Sequence, residues 1–337
     1  MSDEKLFSII IPVYNGEKTI SRTLASLISN KRWIHEVIVV DDHSRDNTIK
    51  EVEKYSDVFP ITILTSEGFH NPGVARKTGL LSATGEWVTF VDADDCLTPS
   101  SLRYVAKYLD EENLVLLHTQ TIYYESGSFV PDDIGHSDYS CGGNFYLREY
   151  LINNNLMPHN ILRMAEDEYF NLLIEMFINH VDGQSVINYY DYPVYEVHHD
   201  FDDGNSFAID NWTDYAIKYH LQSRMYLAQD LIERYGNNQE IYFGAKKELM
   251  DCFISSFMTL HALVTDENEQ VDERDHLRHF RRALRLFVKL FKASKEELIE
   301  WYEHDKDHTH ALYESVVASV GREFEIPESI ADFINKL

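Results

Sequence analysis

Asp92, Asp94 and Asp95 crowd into the four positions of "DADD", directly after the apolar run "WVTFV". Asp41 and Asp42 follow "VIVV" in the same manner, and Glu166 and Asp167 stand together in "AEDEYF". Like charges packed this closely repel one another, and the repulsion grows where apolar chain excludes screening water. An acid-x-acid pair on a short turn relieves it by holding a hard divalent cation through carboxylate oxygens, and such a cation commonly shares its shell with substrate phosphates. Taken alone, "DADD" also fits a solvated acidic turn ahead of a helix that Thr98 caps, with Pro99 at its first position. A carboxylate such as Asp167 suits proton removal from an attacking hydroxyl, but acids in a first helical turn also stabilise the helix dipole without any chemistry. Two adjacent histidines, His198 and His199, add nitrogen donors in "YEVHHDFDDGNS".

Two other nucleotide-binding arrangements fail on their glycines. A nicotinamide-binding fold also places an acid after its second strand, but it needs a glycine-rich first turn, and "IPVYNGEKTI" contains only Gly16. "GFHNPG" has the glycine spacing of a P-loop, yet it continues with Val74 where Lys and Ser or Thr are needed.

The elements that must position these acids alternate along the chain. "FSIIIPVYN" (7–15), "EVIVVDD" (36–42), "ITILT" (61–65) and "EWVTFVDAD" (86–94) have the apolar runs of buried strands. Helical patterns separate them, first through Ile20, Leu24, Leu27 and Ile28, then over 47–55 and 73–83. Strands and helices alternating at this spacing predict βαβ units and a mostly parallel α/β sheet. Ligands bind such sheets outside the carboxyl ends of the strands, and Tyr14, Asn15, Asp41, Asp42, Asp92, Asp94 and Asp95 all fall there. Beyond residue 114, "LVLLHTQTIYY" and "SVINYYDYPVYEV" read as strands flanking a helix over about 167–179. From about 212 onward the pattern is helical, and the turn-prone "GNSFAIDNWT" predicts a boundary between an N-terminal domain, 1–210, and an all-helical C-terminal domain, 211–337.

Composition narrows the class. With 337 residues, 44% hydrophobic and 26% charged, the chain is long enough for two folded units. A net charge of −27 opposes binding to nucleic acid or to anionic membrane over most of the surface. No apolar run has the length of a membrane span, and "MSDEKLFSII" lacks the features of a secretory leader. A cytoplasmic protein, peripheral at most to the inner face of the membrane, is the expectation. Cys96, Cys141 and Cys252 are too few and too scattered for a disulfide framework or a cluster of zinc thiolates, and they read as small buried residues.

Taken in order, "SIIIPVYNGEKTISRTLASL", "VIVVDDHSRDNT", "NPGVARKTGLLSATGEWVTFVDADD" and "AEDEYF" resemble a family 2 glycosyltransferase of the GT-A fold, over about residues 6–207. The resemblance implies an inverting transferase that uses a nucleotide-activated sugar, most often UDP-linked, with Mn2+ or Mg2+ on the diphosphate. Carried over by position, Pro12 to Tyr14 and Asp42 meet the uracil and its ribose, supported by Asp41. Arg76 lies near the nucleotide, although Lys77 stands where the family usually has asparagine. The resemblance gives Asp92 the ribose or a metal-bound water, Asp94 direct metal ligation, and Asp167 the role of base. Glu166 contacts donor sugar or acceptor. His198 or His199 completes the metal shell, and Ser206 donates to phosphate oxygens.

"DDHS", "AED" before an aromatic, and "DFDDGNS" ahead of a helical tail most resemble the wall teichoic acid transferases that attach N-acetylglucosamine (GlcNAc) to poly(ribitol phosphate). Transferases that build capsules or exopolysaccharide, or that glycosylate adhesins, share the donor motifs. A phosphate polymer needs a local cationic surface on so acidic a protein, and residues 274–295 hold eight of the 30 Lys and Arg with only one of the 57 acids, Asp275. Arg274, Arg278, Arg281, Arg282, Arg285, Lys289 and Lys292 share one side of a predicted helix; Leu277, Phe280, Leu284, Phe287 and Phe291 share the other. That face would track acceptor phosphates, pair with acidic patches of its own chain, or bind another subunit, and the C-terminal helices are candidates for homo-oligomer contacts. A catalytically silent scaffold relative would be expected to lose Asp94 or Asp167, and both are present. A nucleotidyltransferase would release pyrophosphate, whereas this reading predicts free UDP.

Overall fold

The computed structural model describes residues 6–68, 70–125, 128–136, 140–199, 216–264, 273–304, 309–314, 316 and 330–337. The chain divides into two compact units, Met1–Phe207 and Ala208–Leu337.

Apolar runs without alternation make strands buried on both faces, and three of the first four strands of the first unit are largely so, whereas the one over Ile61–Thr65, expected as a strand, is half exposed. Strands β1 (Phe7–Val13), β2 (Ile34–Asp41), β3 (Ile61–Thr65) and β4 (Trp87–Phe90) lie in the order β3-β2-β1-β4, every pair parallel. Helices α1 (Ile20–Ser26), α2 (Thr48–Glu53) and α3 (Pro72–Ser82) connect them. Beyond β4 the sheet continues through β8 (Phe145–Leu147), β6 (Leu114–Glu125), β9 (Val186–His199) and β5 (Cys96–Leu97), with β7 (Ser128–His136) paired to β6. Strands β5, β7 and β8 run opposite to the other six, so the nine-stranded sheet is mixed but mostly parallel in direction. Phe7, Ile9, Ile11, Val37, Val39, Leu117 and Phe145 are among the residues of one buried core cluster.

Expectations about elements change around the aspartate turn. Strand β4 stops at Phe90, so "VDAD" is turn and not strand. The helix after it, α4 (Ser101–Val105), starts later than the proline predicts: Pro99 is exposed and outside it, and Ser100 precedes it in the left-handed region at φ 58°. Thr98 does not cap it, because its hydroxyl donates to the Pro193 carbonyl at 2.8 Å, and Asn30 Oδ1 accepts the Leu102 N–H at 3.0 Å instead. Helices α5 (Arg148–Asn153) and α6 (Glu166–Phe177) complete the first unit's helices, α6 close to the predicted span.

The second unit is helical among its described residues: α7 (Leu221–Tyr235), α8 (Gln239–Val264), α9 (Glu273–Phe291), α10 (Lys295–His304) and α11 (Ala331–Lys336). The cationic helix ends at Phe291, short of the predicted 295, because Lys292 takes a left-handed φ of 49°. Lys295 opens α10 and its Nζ donates to the Ile334 carbonyl at 3.4 Å. On α9 the two-sided pattern is as the spacing predicts: Phe280, Leu284, Phe287 and Phe291 are buried, while Arg278, Arg282, Arg285 and Lys289 are exposed.

Candidate active site

The acids meet where the parallel strands end. After β4 the chain turns tightly, and the Asp95 N–H donates back to the Asp92 carbonyl at 3.0 Å. Helix α1 fixes this turn from one side: Thr23 Oγ1 donates to the Ala93 carbonyl at 2.9 Å and Arg22 Nη2 to the Asp94 carbonyl at 2.6 Å. Strand β9 fixes it from the other. Tyr195 Oη accepts the Asp92 N–H at 3.0 Å and donates to Asp95 Oδ2 at 2.8 Å, while Asp95 Oδ1 accepts the His198 N–H at 2.9 Å. A β-carbon on Gly142 would fall 2.5 Å from the Tyr195 ring, so only glycine lets the phenol reach the turn. Burial, with Asp94 and Asp92 adding negative charge, pushes the Asp95 carboxyl well above its ordinary range.

A second group of contacts joins the turn to α6. Asn71 caps α3, accepting the Val74 N–H at 3.1 Å and donating to the Asn160 carbonyl at 2.8 Å. One turn along, Arg76 is buried with its guanidinium forked: Nη2 meets Asp92 Oδ1 at 2.7 Å and Nη1 meets Glu166 Oε1. Burial opposes this charge, but Asp92 and Glu166 overcome that and hold the guanidinium firmly protonated. Lys77, in place of the family's asparagine, reaches Asn160 Oδ1 at 3.3 Å. Ala165, the residue before α6, is buried in the left-handed region at φ 54°, a costly conformation for a residue with a β-carbon. It sets Glu166 and Asp167 at the head of the helix.

Asp167 accepts the Glu168 N–H at 2.9 Å. Burial and the neighbouring Glu166 push its carboxyl up from 3.8 to about 8, against the pull of Arg76. A group with that pKa exchanges protons near neutrality, as a general base must.

The two loops after β1 and β2 are stitched together at the same sheet edge. The Asn15 N–H donates to Ser44 Oγ and the Arg45 N–H to Asn15 Oδ1, both at 2.8 Å, while Asp41 Oδ1 accepts the Ser44 N–H at 3.2 Å. Pro12 is buried and stands opposite Val40 in β2, and Tyr14 packs its ring edge-on to His70 with centroids 4.2 Å apart. Asp42 is buried; its Oδ2 accepts the Asn71 N–H at 2.8 Å, but its Oδ1 has no hydrogen-bond partner among the described residues. An orphaned buried carboxylate oxygen is costly unless a bound donor satisfies it.

Asp92, Arg76, Glu166 and Asp95 are thus joined by direct contacts or by the turn itself, and Asp167 adjoins Glu166. Asp42 connects to them through Asn71. The His198 imidazole does not follow its own N–H toward the aspartate turn: it stacks on Tyr124 with centroids 4.7 Å apart and lies 3.3 Å from Glu196 Oε2. Ser206 and the side chain of His199 lie outside the described residues. Tyr195, Asn71 and Asp95 are structural partners of the site that the sequence left unassigned. Tyr195 hides among seven closely spaced aromatic and apolar positions of β9, and no spacing distinguishes it.

A divalent cation fits this donor set. Asp92 and Asp94 offer hard carboxylate oxygens on one short turn, the donor chemistry that Mn2+ and Mg2+ prefer.

The family described as Glycosyl transferase family 2 matches residues 8–169. Poly(ribitol-phosphate) beta-N-acetylglucosaminyltransferase TarS of Staphylococcus aureus is 39% identical over 110 residues, which are 32% of this chain and 19% of that protein. The chain therefore spans about a fifth of the length of these first relatives. TarP of the same organism, named as the same kind of transferase, is 26% identical over 227 residues, 62% of this chain and 68% of its own length. The crystal structure of S. aureus TarS 1–349 in complex with UDP-GlcNAc superposes with a TM-score of 0.64 at 21% identity, covering 96% of this chain and 94% of that one, which shows a shared GT-A fold. Residues 8–169, just under half of the chain, are thus similar to glycosyl transferase family 2.

Proposed function

We propose that the chain transfers N-acetylglucosamine, with inversion, from UDP-GlcNAc to a hydroxyl of a phosphate-linked surface polymer of the poly(ribitol phosphate) kind. The observation that carries this is the forked Arg76, which ties the donor turn at Asp92 to the head of α6 at Glu166. The names of TarS and TarP support the donor and acceptor class.

In this reading, Tyr14, Pro12 and Asp41 frame the base and ribose, and the orphaned Asp42 Oδ1 accepts a hydrogen bond from the nucleoside. Asp94 and Asp92 would hold Mn2+ or Mg2+, which when bound supplies positive charge to the diphosphate. Arg76 keeps Asp92 and Glu166 in place. Asp167 removes the proton from the acceptor hydroxyl as that oxygen bonds to the anomeric carbon, and the bond from that carbon to UDP breaks on the opposite face. Glu166 orients the sugar or the acceptor. The α-linked donor thereby gives a β-linked product and free UDP.

For the acceptor, a groove of about 380 Å³ in the second unit is lined by Arg281, Arg285, Lys289 and Lys295 with Leu284 and Val288. Cations along an apolar wall suit a repeating phosphodiester, and the attraction weakens with salt. The test is transfer to poly(ribitol phosphate) with product anomer read by NMR. A β-linked product and stoichiometric UDP support the proposal; pyrophosphate, or an α-linked product, overturns it. Replacing Arg278, Arg281 and Arg285 by Glu should depress transfer to polymer while sparing a short neutral acceptor, and unchanged rates for both remove the acceptor track.

A further inference from the structure

Register decides which side chains meet where β5 and β9 run side by side. Cys96 stands directly opposite Glu196 in this antiparallel pair. Side chains alternate along a strand, so His198, two positions on, shares the face of Glu196. The Cys96 sulfur, a Glu196 carboxylate oxygen and a His198 ring nitrogen lie within 4.8 Å of one another. The ring is already oriented: Tyr124, opposite His198 in the pairing of β6 with β9, stacks on it with planes 5° apart, and Nε2 lies 3.3 Å from Glu196 Oε2. The main chain is held too, since the His198 N–H donates to Asp95 Oδ1 at 2.9 Å.

One sulfur, one imidazole nitrogen and one carboxylate form a mixed donor set that suits zinc and suits Mg2+ or Mn2+ poorly. Zinc bonds of about 2.0–2.3 Å place tetrahedral ligand atoms about 3.5 Å apart. Side-chain rotation of about an ångström therefore closes the site. Cys96 is buried, whereas Glu196 and His198 are half-buried, and Cys96 and Glu196 also line a groove of about 590 Å³ with Arg22, Ser26 and Pro99. We infer that Cys96, Glu196 and His198 form a zinc site separate from the Asp92–Asp94 turn, with three protein ligands and a fourth position open to water from this groove. The thiol gives its proton to solvent as the sulfur bonds to the metal. Because Asp95 holds both Tyr195 and the His198 main chain, the metal fixes the end of β9 against the aspartate turn. The inference is independent of which sugar or acceptor the transferase uses.

The test is titration of the chelator-treated full chain with Co2+ and then Zn2+. One equivalent of cobalt should give a thiolate-to-metal charge-transfer band that zinc abolishes, and zinc should raise the melting temperature. Cys96→Ser should remove the band, and both Cys96→Ser and His198→Ala should weaken zinc by about tenfold or more. The melting temperatures of the metal-free variants check that they fold. Asp94→Ala should keep the band with its one-equivalent end point, which separates this site from any cation on the donor turn. Absence of the band, its survival in Cys96→Ser, or its loss in Asp94→Ala overturns the inference.

Discussion

Replacing Asp167 by Asn should stabilise the ligand-free protein at alkaline pH while removing turnover. The folded state pushes this carboxyl up from 3.8 to about 8, through burial first and Glu166 second. Below about pH 4 both folded and unfolded chains carry the proton; between about 4 and 8 only the unfolded chain ionises, so stability falls as pH rises through that window and levels off above it. At about 1.36 kcal/mol per unit, the full shift corresponds to about 6 kcal/mol. Asp167 remains partly exposed, however, and water screening reduces this to about 2 kcal/mol. Asn escapes the penalty, and its side-chain oxygen still accepts the Glu168 N–H that Asp167 accepts at 2.9 Å. Urea unfolding of both proteins at about pH 5 and about pH 9 should show a small gap at the first that widens to about 2 kcal/mol favouring Asp167→Asn at the second. Charges common to both proteins cancel in the difference. A gap that does not change with pH, or a wild type that is the more stable at alkaline pH, refutes the claim that this carboxyl is held protonated by its surroundings.

Other outcomes follow from the same contacts. Arg76→Met leaves Glu166 and Asp92 facing each other without their shared cation, and should cost about 3–5 kcal/mol in urea unfolding. Tyr195→Phe removes the hydroxyl between the Asp92 N–H and Asp95; it should cost about 1–3 kcal/mol and raise the KM for the donor more than it lowers kcat. The pH profile of kcat/KM should rise through a pKa near 8, the value set on Asp167, and a flat profile from about pH 6 to 9 would remove that residue as the base.

The parallel half of the sheet is legible in the sequence because β1, β2 and β4 are short apolar runs, and each of these three ends in polar residues that the site uses. Asp41, Asp42, Asp92 and Asp94 fall at strand ends on that pattern alone. What supports them is not legible. Strands β5 and β8 have two and three residues, too few for any periodicity to show. The start of α4 does not show in the local sequence because the N–H groups of Ser100 and Leu102 are met by Ser29 and Asn30, about 70 positions away, and not by a local cap. The forks of Arg76 and Tyr195 depend on which residues the topology places opposite, Glu166 being 90 positions away and Asp95 100. For His198 the sequence offered a metal ligand, and register alone decides that its ring faces Glu196 and Cys96.

The most direct test of the donor site is calorimetric titration of UDP into the protein, with and without Mn2+, for wild type and for Asp94→Ala. The account predicts that wild type binds UDP tightly only when Mn2+ is present, and that Asp94→Ala loses this dependence together with most of the affinity while unfolding normally in urea. Equal, metal-independent UDP binding by both proteins would contradict it.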